Sequence, residues 1–250
     1  MSGHSKWANI KHKKEAADRQ KGKMFSRVGK EIMVAAKNGG ADPNTNPALR
    51  AALTAAKAVN MPNANIDRAI KKGIGELGDV VFEEIMYEGY AAGGVAVIVD
   101  CLTDNRNRSI SEVRMAFERN NGNLAGSGAV SRMFKRQAHF VVTGEWADEE
   151  KLMDIVLDAG ANDLIVEDDE AEIWADPENF EAIAKVLEEK GIVTDTAEQT
   201  RRPEMTVNIT DAKVASQVLR MIERLEDCDD VQNVTANYLI DDSIADQIEE

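Results

Sequence analysis

Residues 137–200 read QAHFVVTGEWADEEKLMDIVLDAGANDLIVEDDEAEIWADPENFEAIAKVLEEKGIVTDTAEQT. The apolar pattern changes period several times within this stretch. It predicts a strand over 137–143 and a helix over 148–160. Strands over 163–167 and 171–175, a helix over 179–190 and a strand over 192–200 follow. Trp146-Ala147-Asp148 and Asp176-Pro177 mark the two helix starts. The order β-α-β-β-α-β is that of a ferredoxin-like unit, here assigned to 132–203.

The flanks are incomplete by themselves. Upstream, Val80 to Tyr90 and Gly93 to Leu102 read as a strand pair joined by a Gly-containing turn. Ser109-x-x-Glu112 matches a capping box, and a helix runs from it to Asn121-Gly122. Downstream come a strand at 204–210, a helix at 211–226 capped by Thr210 or Asp211, and a strand at 231–240. These ββα and βαβ pieces make one α+β domain when joined. The expected organisation is therefore a discontinuous domain, 80–131 and 204–250, with 132–203 inserted into it.

Residues 1–79 differ in kind. The first twenty carry few apolar anchors beyond Trp7 and Ile10 and read as an extended arm. Met24, Phe25, Val28, Ile32, Ala35 and Ala36 then recur at helical spacing until Asn38-Gly39-Gly40. Asn46-Pro47 opens a second helix with the stripe Leu49, Leu53, Ala56 and Val59, closed by Asn60-Met61-Pro62. Asn63 is placed to cap a third, with Ile66, Ile70 and Ile74, ending near Gly73–Gly75. The fold class is α+β: an N-terminal three-helix domain, then two ferredoxin-like α+β domains, the last inserted into the middle one.

The 250 residues carry 45 acids against 30 bases, a net charge of −15. The charge is partitioned. Residues 1–75 hold fifteen Lys and Arg against five acids, a balance of +10, and the remainder stands at −25. A basic third of this kind suits a polyanion, and the acidic remainder would repel one. With Arg27 at zero and about 100° per residue, Lys30 and Lys37 fall beside it, opposite the apolar stripe. Arg50 and Lys57 share a face of the second helix, and Arg68, Lys71 and Lys72 cluster on the third. With Lys6, Lys11, Lys13, Lys14, Arg19, Lys21 and Lys23 of the leading segment they form the candidate nucleic-acid-binding set. Phosphate neutralisation with counterion release would supply the affinity. Trp7 either stacks on an exposed base or anchors the arm to its own domain. Arg106 and Arg108, in Thr103-Asp104-Asn105-Arg106-Asn107-Arg108-Ser109, sit at a predicted helix start. They read equally as a phosphate site or as a polar loop with a good cap.

Other signals are weak. Gly73-Ile74-Gly75-Glu76-Leu77-Gly78 matches G-x-G-x-x-G but follows a helix and precedes a strand, so it reads as a hinge. Gly126-Ser127-Gly128 lacks the ending of a P-loop. His4, His12 and His139 have no metal-site spacing. The acidic runs Glu167-Asp168-Asp169-Glu170 and Glu226-Asp227-Cys228-Asp229-Asp230 read as solvated turns. No helix-turn-helix signature or zinc-finger spacing is present. No catalytic constellation, metal site or cofactor is indicated, and the sequence does not support an enzyme. No run approaches the roughly 18 apolar residues of a membrane span. The leading lysines are not followed by the apolar stretch of a secretory signal. Cys101 and Cys228, in unrelated contexts, read as reduced thiols, and the expected compartment is the cytoplasm. Nothing in the sequence sets an oligomeric state.

GHSKWANIKHKK, the stretch 21–27, Asn44–Asn46 with Pro47-Ala48-Leu49-Arg50, Met61-Pro62-Asn63-Ala64-Asn65-Ile66, Tyr87-Glu88-Gly89-Tyr90 and Thr103–Arg108 together resemble the YebC family. The resemblance runs the length of the chain. Ala91-Ala92 departs from the Gly-Pro expected in that turn. The resemblance implies a cytoplasmic bacterial protein of three domains, the last inserted into the second. It implies either a DNA-binding transcriptional regulator acting on promoter DNA or a ribosome-associated translation factor. The latter would bind ribosomal RNA and relieve stalling at proline-rich stretches.

Overall fold

The computed structural model describes residues 16–78, 81–167 and 169–248. Among them are seven α-helices and ten strands. His4, Lys6, Trp7, Lys11, His12, Lys13 and Lys14 lie outside the described residues. The architecture is a helical N-terminal domain followed by α+β domains, one inserted within the other. Residues 132–206 form one compact unit, and the described residues before and after them form another.

The first unit holds β4 (Phe134–Thr143), α5 (Glu149–Asp158), β5 (Ala161–Glu167), β6 (Glu170–Ala175), α6 (Phe180–Glu189) and β7 (Thr196–Pro203). Its sheet order is β5-β6-β4-β7, antiparallel throughout, which is the ferredoxin-like arrangement. Alternate residues Ala138, Phe140 and Val142 of β4 meet Leu152, Val156, Ile183 and Leu187 of the helices in a closed core. Each of these side chains larger than alanine contributes roughly 1.5–3 kcal/mol by burial. Asp148 caps α5, accepting from the Lys151 N–H. The last strand starts at 196 rather than at 192. Gly191 turns the chain with φ 70°, Ile192 is buried in the core, and the Asp195 N–H donates to Val141 O at 2.8 Å. Residues 192–195 are thus a packed connection, and pairing runs on to Pro203 opposite Phe134.

The second unit begins with α1 (Ala16–Gly39), α2 (Pro47–Ala58) and α3 (Asn63–Gly73). Described from Ala16 on, the helix already includes Arg19, expected in the extended arm, and Lys21. Ile32, Ala36, Leu49, Ala56 and Ile66 form its core. Asn46 is the pivot between α1 and α2. Its Oδ1 accepts from Leu49 N at 3.0 Å, and its Nδ2 donates to Ala35 O and Gly40 O, both at 2.8 Å. The third helix is preceded by Pro62, and Asn63 is its first residue, not a side-chain cap. A Cβ on Gly73 would lie 2.4 Å from Met33 O, so only glycine lets α3 end against α1.

The sheet of this unit has the order β3-β1-β2-β9, antiparallel: Asn123–Ala125, Glu83–Tyr90, Ala96–Thr103 and Val231–Ala236. Helices α4 (Arg106–Glu118) and α7 (Ala212–Glu226) pack on it through Val113, Phe117, Val218, Met221 and Leu225. β8 (Val207–Ile209) and β10 (Tyr238–Ile240) form a parallel pair. The expected single strand 231–240 is divided at Asn237. The Ala96 N–H donates to its side-chain oxygen at 2.7 Å, the Asn237 N–H donates to Ala96 O at 3.1 Å, and Asn237 O accepts from Val207 N at 2.7 Å. This buried asparagine hands the chain from β2 to β8.

Glu88, buried on β1, accepts the backbone N–H groups of Gly128, Val130 and Ser131 at 2.7–2.8 Å. Burial works against its ionisation, but those three donors prevail and hold its carboxyl below the ordinary value. Cys101 and Cys228, expected in unrelated contexts, belong to one core. Both are free thiols. Burial pushes Cys101 up to about 12 and Cys228 up to about 11.

Candidate nucleic-acid interface

The basic stripe of α1 meets an acidic turn two hundred residues away in sequence. Lys23, Arg27 and Lys30 lie at i, i+4 and i+7, so they share one face. That face meets the end of α7 and the turn before β9. Lys23 pairs with Asp227. Arg27 Nη2 donates to Glu226 O at 2.6 Å. Lys30 Nζ donates to Asp229 O at 2.7 Å, Asp230 Oδ1 at 2.8 Å and Leu102 O at 3.3 Å. Cations at a helix C-terminus satisfy its last carbonyls and its dipole.

Asp230 is the centre of this contact, with its side chain 1% exposed. Besides Lys30, it accepts from Thr103 Oγ1 at 3.0 Å, Ser109 Oγ at 2.8 Å and Arg108 at 2.8–3.0 Å. Burial opposes its charge, but the hydrogen bonds from Arg108, Lys30 and Ser109 hold its carboxyl far below the ordinary range. The turn 226–230 is therefore not a merely solvated one. The start of α4 is also remade. Asn105, not Ser109, caps the helix, its Oδ1 accepting from Arg108 N at 3.1 Å. Ser109 is buried and turned to Asp230, because a hydroxyl there completes the carboxylate's shell. Arg108 is committed to Asp230 and Asp104, which favours the capped-loop reading over a phosphate site.

The other cations face solvent. Lys37, Lys57, Arg68, Lys71 and Arg106 are exposed and Lys72 half-buried. Arg50 is exposed while donating to Pro43 O and Asn44 O, both at 3.1 Å. Among the described residues Lys57, Arg68, Lys71, Lys72 and Arg106 have no ion pair. Arg68 and Lys72, one turn apart on α3, line a cleft of about 670 Å³ whose other walls are α1 and the start of α4. Sequence reasoning missed Phe25, Asn65 and Glu112 as cleft residues. Their i, i+3, i+4 spacing with known basic positions was the available signal.

Elsewhere, His139 stacks on Trp174 with ring centroids 3.9 Å apart. Arg202 lies over the same indole at 4.8 Å. No group of three or more His, Cys, Asp or Glu among the described residues is placed to hold a metal ion. No helix among them is long and apolar enough to cross a membrane.

Residues 5–76 match the TACO1/YebC protein N-terminal domain, and residues 82–238 match the TACO1/YebC second and third domain. The chain belongs to the TACO1/YebC family. A relative from Syntrophobacter fumaroxidans is 51% identical, with 99% of this chain and all of that one covered. One from Geobacter sulfurreducens is 52% identical over 95% of this chain and 96% of the relative. Both are named "Probable transcriptional regulatory protein". The crystal structure of a conserved hypothetical protein from Aquifex aeolicus is similar with a TM-score of 0.85 and 45% identity. The match covers 96% of this chain and 99% of that one. Against this TACO1/YebC framework the sorting of cations is the feature of interest: one set holds the fold, the other faces outward.

Proposed function

We propose that this TACO1/YebC protein is a nucleic-acid-binding regulator of gene expression in the cytoplasm, acting on transcription without chemistry of its own. It meets the phosphate backbone through Lys57, Arg68, Lys71, Lys72 and Arg106, together with Lys6, Lys11, Lys13 and Lys14 of the leading segment. The observation that carries the reading is the set of exposed cations on α2, α3 and α4 with no acidic partner among the described residues. In an acidic chain, cations left without partners within one compact unit favour an external polyanion. The names of the relatives support the transcriptional form of the reading.

Crosslinking in cells followed by sequencing of the bound nucleic acid tests it. Promoter fragments are expected. Ribosomal RNA would instead establish a translation factor using the same phosphate contacts, and no enriched nucleic acid would overturn both.

A further inference from the structure

We infer that the cleft between α1, α3 and the start of α4 takes one unpaired nucleotide, its phosphate on α3 and its base on Phe25. The inference rests on the nucleic-acid reading above and adds the state of the strand and a base preference. At about 670 Å³ the cleft falls within the roughly 300–1,000 Å³ typical of small-ligand sites.

Its three walls differ in chemistry. The α3 wall presents Arg68 and Lys72, without ion pairs among the described residues, at the spacing of successive turns. The α1 wall presents the half-buried ring of Phe25, with Gly22 and Ser26 beside it. Phe25 packs against the helical core and also lines the cleft, and a base stacks on an aromatic face in a sequence-tolerant way. The third wall is acidic in balance. Its cations Lys30 and Arg108 are paired with Asp230 and Asp104, whereas Glu112 and Asp229 make no side-chain ion pair among the described residues.

This polarity orients a nucleotide. The phosphate is drawn to α3 and repelled from the acidic wall. A base lying on Phe25 then turns its edge toward Glu112 and Asp229, and carboxylates accept from exocyclic amino groups. Cytosine, adenine and guanine offer such a donor, whereas uracil and thymine have no exocyclic amino group and set a carbonyl oxygen against the acids. A duplex cannot present an unstacked ring, so the cleft selects single strands.

The test uses the full chain and labelled single-stranded oligonucleotides of cytosine and of uracil or thymine, in ribo and deoxyribo form, beside a blunt duplex, read by fluorescence anisotropy. Cytosine strands are expected to bind at least fivefold tighter than uracil or thymine strands. Phe25→Leu, which keeps an apolar side chain against the helical core, should weaken cytosine-strand binding roughly fivefold or more and leave duplex binding unchanged. The surface pair Arg68→Gln with Lys72→Gln should reduce the salt slope for single strands by about 1.4. One sugar form at least must show the Phe25 dependence. If single strands bind and neither variant changes them, the cleft assignment falls while the phosphate surface stands. If no oligonucleotide binds, both fall.

Discussion

Lys30 Nζ sits 2.8 Å from Asp230 Oδ1, linking the first described helix to a turn two hundred residues later. The ammonium is 12% exposed and the carboxylate 1%. Removing one member of such a pair leaves the other charge buried without a partner. Asp230→Ala is expected to destabilise the protein by about 3–5 kcal/mol, measured by urea denaturation. Asp230→Asn should cost less, because the amide retains one acceptor. A double-mutant cycle with Lys30→Met should show coupling above about 1 kcal/mol.

The pH dependence follows from the direction of the carboxyl shifts. Asp230 and Glu88 both ionise more readily folded than unfolded. As pH falls toward the ordinary carboxylate value of about 4, the unfolded chain takes up protons first. The stability these groups contribute is therefore complete above about pH 5 and declines below it. The gap in melting temperature between wild type and Asp230→Asn should be constant from about pH 6 to 8. It should narrow as the pH is lowered through 4. A gap that widens on acidification would contradict the assignment.

Glu88→Gln should loosen the segment 128–131. The amide keeps one acceptor and turns a donor toward backbone N–H groups that the carboxylate now satisfies. A cost of about 2 kcal/mol is expected. Amide exchange at Val130 should accelerate more than exchange in α1.

The two thiols should be unreactive in the folded state. With values raised to about 12 and about 11, Cys101 and Cys228 carry little thiolate at pH 8. Alkylation by iodoacetamide should be slow until urea unfolds the chain.

The element types were legible from periodicity and caps, because Asn46, Asp148 and Asp211 announce their helices locally. What was not legible depends on contacts far apart in sequence. Ser109-x-x-Glu112 satisfies the capping pattern, yet Asn105 caps and Ser109 turns inward to an acid 121 residues later. The break at Asn237 needs Ala96 as its partner. The basic stripe of α1 and the acidic run at 226–230 were each visible as charge. Their complementarity appears only when the chain brings them together. A basic helix face alone does not say whether its anion is internal or external.

The division of cations into a fold-holding set and an outward set is tested most directly by the salt dependence of nucleic-acid binding. Lys57→Gln with Lys71→Gln should lower the slope of log affinity against log salt by about 1.8 on a duplex and leave the melting temperature unchanged. Lys30→Gln should lower the melting temperature and leave the slope unchanged. A Lys30→Gln variant that loses slope as the surface pair does, while melting like wild type, would contradict the account.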